Sequence, residues 1–209
     1  MGKMVLETPR LVLRELDLDD LDFVAAMLAD PEVMRYWPRP YSREEAEAWV
    51  RRQRERYTRD GYGYWLAVER ATGRPVGQAG LLAMEIDGVE EAALGYIIHR
   101  PFWRRGFATE AATATLDYAF GALGKARVVA PIRPENEPSL AVARKLGMEA
   151  ERRTSFAGFE HLIFAVARPI DGARSEETES SRAARLSGSR DGGRVACEAG
   201  PVDPSLRSG

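Results

Sequence analysis

The residues best able to do chemistry are concentrated in Trp103-Arg104-Arg105-Gly106-Phe107-Ala108-Thr109-Glu110-Ala111. This segment follows the apolar run Leu94-Gly95-Tyr96-Ile97-Ile98 and leads into a helical pattern from Ala112 to Leu123. A strand, a short basic turn with a glycine, and a helix start together make a cradle for a diphosphate. The first amides of the helix have no partner within it and point into the turn. The helix dipole favours an anion there by about 0.3–1 kcal/mol. Gly106 removes the Cβ that would hold a phosphate off the main chain, and Arg104 and Arg105 add positive charge. The turn is not a Walker loop, since no Gly-Lys-Ser/Thr follows, nor a dinucleotide fingerprint, which needs three glycines at set spacing. Taken alone, it reads equally well as a plain strand-to-helix connection.

A second group begins at Asn136-Glu137-Pro138-Ser139. Asn136 or Glu137 caps a helix with Pro138 in its first turn, and Gly147 closes it. Between the two groups Ala126 to Ile132 reads as a buried strand.

The elements that must hold these groups alternate along the chain. Leu11 to Leu16 suggests a first strand, and Asp17, Asp19 and Asp20 then sit where a helix start favours negative charge. Leu21, Val24, Ala25 and Leu28 recur at helical spacing and stop before Pro31. Ser42 and Glu45 form a capping box for a helix with Ala46, Trp49, Val50 and Tyr57 on one side. Three antiparallel strands follow at Tyr62 to Glu69, Pro75 to Met84 and Glu90 to Ile98, joined at Thr72-Gly73 and Asp87-Gly88. The helix after the basic turn stops at Gly124, with the small inner residues Ala108, Ala112 and Ala119 allowing close approach to a sheet. Two last strands lie near Met148 to Phe156 and Glu160 to Ala167.

Composition sets the outer limits. With 209 residues, 44% of them hydrophobic, the chain can bury one full-sized core. A net charge of −2 gives no support for a nucleic-acid or membrane-surface partner. The lone cysteine, Cys197, excludes a disulfide framework or a cysteine-based zinc site within the chain, and no metal is expected. No apolar run approaches about 18 residues and Met1-Gly2-Lys3-Met4 lacks a signal-peptide core, so a cytoplasmic protein is expected. The expected division is one folded domain over residues 1–169 and a low-complexity tail over 170–209. The tail is rich in Ser, Gly, Arg and Glu, lacks aromatics, and cannot bury enough apolar surface to offset its ordering entropy.

This order of elements, with its motifs, resembles the GNAT superfamily of acyl-CoA N-acyltransferases, and more narrowly its RimJ/RimL-like branch. The resemblance covers about Leu6 to Arg168. Trp103 to Ala108 matches the family's acetyl-CoA pattern Gln/Arg-x-x-Gly-x-Gly/Ala, with Trp103 in the first place. Thr8-Pro9-Arg10-Leu11, Pro31-Glu32-Val33, Arg43-Glu44-Glu45-Ala46 and Thr72-Gly73-Arg74-Pro75-Val76-Gly77 support it. So does Asn136-Glu137-Pro138-Ser139 followed by Lys145-Leu146-Gly147.

The resemblance implies an α/β (α+β) GNAT fold. Its central sheet would be mixed, mostly antiparallel, of six to seven strands flanked by helices, and parted between the two central strands. Acetyl-CoA would be the acyl donor, its pantetheine arm pairing with main-chain groups of Ile97, Ile98 and His99 as an added strand would. The diphosphate would rest on Arg104, Arg105, Gly106, Phe107, Ala108 and Thr109, with Asn136 facing the arm from the other side. The implied reaction is direct attack, in a ternary complex, by a primary amine: a protein N-terminal α-amine or a small-molecule amine. A backbone N–H at Ile97 or Ile98 would stabilise the oxyanion.

Two familiar side chains are missing. Where many relatives have a tyrosine four residues before Gly147 this chain has Ala143, which leaves Ser139 to protonate the thiolate. Where relatives often carry a glutamate before the strand glycine it has Ala93, which leaves Glu91 or His161, with Glu85 as a further alternative, as the base. Trp37, Arg39 and Tyr64 are the expected acceptor contacts. These two departures also raise a different reading, a non-catalytic acyl-CoA sensor. The resemblance leaves a homodimer open.

Overall fold

The computed structural model describes residues 2–156 and 158–169, so the expected tail lies outside the described residues. One eight-stranded sheet runs in the order β1-β2-β3-β4-β5-β6-β8-β7. Its strands are β1 (Met4–Glu7), β2 (Leu11–Glu15), β3 (Tyr64–Glu69), β4 (Pro75–Ile86), β5 (Val89–Ile98), β6 (Arg127–Ile132), β7 (Glu149–Phe156) and β8 (Phe159–Ala167). The helices are α1 (Leu21–Leu28), α2 (Arg43–Arg59), α3 (Phe107–Gly121) and α4 (Glu137–Lys145). The strand beyond the expected seven is β1. It is short, lies on the sheet edge, and leaves Met4 57% exposed, so it carries no buried alternation to read.

Two apolar layers sandwich the sheet. On one face α1 and α2 bury Val24, Leu28, Trp49 and Val50 against Leu66, Ile97, Val129 and Ile163. On the other, α3 and α4 bury Ala108, Ala112, Leu116 and Leu140 against Leu94, Tyr96, Ile98, Val128 and Phe164. The capping box at Ser42 and Glu45 starts α2, since the Ser42 Oγ accepts from the Glu45 N–H while the Glu45 carboxylate accepts from the Ser42 N–H. Asp87 and Gly88, both at positive φ, turn the chain between the long strands β4 and β5.

All neighbouring strands are antiparallel except β5 and β6, which run parallel. Ten residue pairs zip β4 to β5, but β5 meets β6 in register only at Ala93 and Val129. From Ala93 to Ile98, about 17 Å of strand, the two edges diverge. Beside that contact, Arg127 clamps the narrow end through Glu91 on β5 (3.4 Å) and Glu151 on β7 (2.5 Å). Among the described residues no helix is long and apolar enough to cross a membrane.

Candidate active site

The parted strands define the site, and alternation along β5 decides which main-chain groups face it. In an antiparallel pair a residue directs both its N–H and C=O to the same neighbour, and the next residue directs both away. The His99 N–H donates to the Val76 carbonyl of β4 at 2.9 Å. Two residues back, Ile97 lies opposite Gln78 and bonds the same way. Consistently, a Cβ built on Gly77 would lie 2.2 Å from the Ile97 carbonyl oxygen. The groups directed into the gap therefore belong to Tyr96 and Ile98. This corrects the expectation for Ile97, whose main chain is committed to β4. His99 is committed as well, because its carbonyl accepts from the Phe102 N–H at 2.9 Å. The Ile98 carbonyl also accepts from the Trp103 indole N–H at 2.6 Å, which leaves its N–H directed into the gap.

Beyond β5 the chain makes a short 3-10 turn at Arg100–Phe102 and enters α3 through Gly106. Gly106 caps α3 with φ +78°, and Arg104 also has positive φ, +62°. These left-handed residues bend the chain so that it leaves the strand and starts the helix within a few residues. Phe107 and Ala108 are buried while Arg104, Arg105 and Gly106 are exposed. Arg105 is not a loose cation. It pairs with Glu69 of β3 and lies over Phe102 and Phe107. The amides of Phe107, Ala108 and Thr109, at the first turn of α3, carry the anion-binding capacity.

Across the gap stands the start of α4. The Asn136 side chain caps this helix by accepting from the Ser139 N–H at 3.2 Å, and both residues are buried. The Tyr96 hydroxyl donates to the Ser139 carbonyl at 3.2 Å. One residue of β5 thus offers its N–H to the gap and spans to α4 with its ring. Sequence reasoning passed over Tyr96. The available signal was parity: it sits two residues before Ile98, on the same edge of the strand. Ala143, one turn after Ser139, is buried.

The remaining expected contacts separate. Glu91 is held by Arg127 at the narrow end, about 20 Å of strand from Ile97; this corrects its expected role as base. Glu85 is exposed on the same hairpin. Trp37 is 3% exposed and Tyr64 0%, a correction to both as acceptor contacts. Hydrogen bonds from the Met34 N–H to Asp30 and from the Trp37 N–H to Met34 coil the 30–37 segment, turning the indole into the α1–α2 layer despite the prolines after it. Tyr64 stacks on Trp49 at 5.4 Å. Arg39 is exposed, but its guanidinium is forked onto Glu45, and that hydrogen bond holds the Glu45 carboxyl at about 2.

His161 does lie at the wide end. It precedes Leu162, the partner of Ile132 at the last position of β6, and shares the α1–α2 face with Ile163. Its Nδ1 is 3.0 Å from the Phe159 carbonyl. A carbonyl only accepts, so the proton sits on Nδ1 and the basic lone pair on Nε2. Burial pushes the His161 imidazole below its ordinary value, as it does His99. Arg133 lies over the Phe159 ring at 4.3 Å and pairs with Glu135, so the rim near His161 carries both charge signs.

These lowered histidines have a consequence for stability. Above about pH 6.5 both are neutral folded or unfolded. As pH falls from there, the unfolded chain takes up protons before the folded one, so stability is lost as pH drops through the folded values. Urea midpoints are expected to fall between about pH 7.5 and about pH 5.5, and to fall less in a His161→Gln variant. An unchanged midpoint across that window would contradict the lowered imidazoles.

A cleft between diverging parallel strands, with a helix-start anion cradle at one end, suits an extended ligand with an anionic end. Comparison with known proteins agrees. Residues 10–149 match the family model described as an acetyltransferase (GNAT) domain. YkkB of Bacillus subtilis, described as uncharacterized, is 33% identical over 148 residues, which cover 70% of this chain and 86% of that protein. The spermidine N(1)-acetyltransferase of Escherichia coli K12 is 32% identical over 141 residues, 66% of this chain and 73% of the relative. Among solved structures, an acetyltransferase from Agrobacterium tumefaciens superposes with a TM-score of 0.68 at 26% identity, covering 77% of this chain and 92% of that one. The chain belongs to the GNAT acetyltransferase family. It is an acetyl-CoA-dependent N-acyltransferase.

Proposed function

We propose that this chain transfers acetyl from acetyl-CoA directly to a primary amine while both are bound, the acceptor being a protein N-terminal α-amine or a small-molecule amine. The observation that carries this reading is the gap, with Tyr96 and Ile98 main-chain groups on one side and Asn136 and Ser139 on the other. The donor's arm lies along β5 with its diphosphate at Gly106 to Thr109, Arg104 adding charge at the rim. The amine approaches from the α1–α2 face, where His161 lies. Its lone pair attacks the thioester carbon, and the Tyr96 N–H meets the developing oxyanion, a contribution of about 3–4 kcal/mol for a donor of this type. The C–S bond then breaks, and the thiolate takes a proton at the start of α4 from Ser139, whose hydroxyl regains a proton from solvent water as CoA leaves. The proton released by the nitrogen passes to His161 Nε2 through water.

A base that is an imidazole, His161, lowered by burial, favours an amine that is already partly neutral. An α-amine is about 14% neutral at pH 7 and an ordinary lysine about 0.04%, a difference of roughly 3.5 kcal/mol. Acetyl transfer is therefore expected with N-terminal peptides or small amines of lowered pKa, measured as CoA thiol release. No release across a broad panel, with CoA binding intact, would favour the sensor reading instead. His161→Gln is expected to lower kcat/KM for the amine about tenfold near pH 7, with recovery above about pH 8.5, where an α-amine is neutral unaided. A pH-independent loss would remove His161 as the base.

A further inference from the structure

The turn between β1 and β2 reaches the diphosphate turn through one side chain, Arg10. Its Nη1 donates to the Arg105 carbonyl at 2.9 Å, and its Nε donates to Glu110 at 2.6 Å. Glu110, in the first turn of α3, also accepts from the Arg10 N–H at 2.9 Å and the Thr8 hydroxyl at 2.6 Å. The guanidinium lies over the Phe107 ring at 4.9 Å, with Arg105 over the same ring at 4.7 Å. A Cβ on Gly106 would come within 3.4 Å of Arg10 Nη2. Nearly a hundred residues separate these groups in sequence, yet Arg10 touches the residue before Gly106, the residue after it, and the acid one turn on.

Peptide geometry gives this arrangement a meaning. The Arg105 carbonyl and the Gly106 N–H belong to one planar trans unit and point in opposite directions. No cis peptide occurs among the described residues. With the carbonyl held on Arg10, the Gly106 N–H must face away from the β1–β2 turn. Left-handed φ at Arg104 and Gly106 leaves this peptide the least supported part of the turn, since no helical bond fixes it. A flipped peptide would present a carbonyl oxygen to the diphosphate, turning attraction into repulsion.

We infer that Arg10 is a positioning residue for donor binding, a latch on the Arg105 carbonyl that keeps the Gly106 amide aimed at the diphosphate. The inference rests on the acyl-CoA reading of this turn. Its charge is already matched by Glu110, so what it supplies is orientation. A lysine keeps the charge, but its single ammonium lacks the planar fork that serves Glu110 and the carbonyl together.

The test compares Arg10→Ala and Arg10→Lys with the unaltered chain. CoA affinity is measured by calorimetry, and turnover of S-acetylpantetheine, which lacks the diphosphate, is measured on the same proteins. In both variants the CoA dissociation constant is expected to rise about tenfold, the worth of one oriented bond to a charged group. Loss on the truncated donor is expected to stay within about twofold, because nothing there reads the Gly106 amide. Wild-type affinity in Arg10→Lys would overturn the latch in favour of plain charge attraction. Equal losses on both donors would overturn it in favour of general support of the fold. If the unaltered chain binds CoA but transfers no acetyl group, the direct-transfer reading fails, while the dissociation constants alone still judge the latch.

Discussion

Gly95→Ala is expected to lower the unfolding midpoint by roughly 2–12 °C, taking about 1–3 kcal/mol for overpacking and 2–4 °C per kcal/mol at this chain size. Gly95 sits mid-strand in β5, beside Tyr96, and is required for space. A Cβ there would lie 1.8 Å from the Tyr64 hydroxyl oxygen and 2.6 Å from Cζ. Tyr64 cannot step aside cheaply. Its ring stacks on Trp49, whose indole N–H donates to Gln78 at 2.9 Å, while the Tyr64 N–H donates to Gln53 at 3.0 Å and its carbonyl accepts from the Tyr57 hydroxyl. The strain therefore passes into β5 itself, shifting the Tyr96 N–H from where an oxyanion forms, and acetyl transfer should fall with stability. The check is a double-mutant cycle. In a Tyr64→Phe background the alanine should cost at least about 0.5–1 kcal/mol less, since contacting residues couple. Strict additivity would show that the cost arises elsewhere.

Ser139→Ala should lower kcat about a hundredfold, the low end of what a positioned proton donor contributes. The CoA dissociation constant should stay within about twofold, because Ser139 holds Asn136 and Tyr96 through main-chain atoms that alanine keeps. This split separates two roles. A serine that only supports the helix start would, when replaced, change CoA affinity and kcat together or neither. A departing thiolate without a proton donor is penalised in the chemical step alone. Parallel losses in both quantities would return Ser139 to a structural role and leave the proton donor to be sought elsewhere along the gap.

Much of this was legible before any coordinates. Turn residues at Thr72-Gly73 and Asp87-Gly88 fell between the expected strands, and the Ser42–Glu45 capping box formed as spaced. Gly106 and Asn136 each stand at the helix start that their types favour. These are local signals, carried by residues within one turn of each other. Glu91 and Trp37 were misread for the opposite reason. Their partners, Arg127 and the α1–α2 layer, lie on other elements and decide what each can do. Arg10 stood in the Thr8-Pro9-Arg10-Leu11 motif, but its contact with the turn gave no local signal, since that role depends on a residue nearly a hundred positions away.

The sequence by itself determined the order of elements, the basic glycine turn opening α3 and the asparagine opening α4, because caps and turns are short-range chemistry. Only the tertiary structure decided that Tyr96 and Ile98, rather than Ile97, face the gap. The physical reason is that the edge of a strand is set by its partner's register: shifting the pairing with β4 by one residue would exchange the two sets of main-chain groups, with the apolar run unchanged.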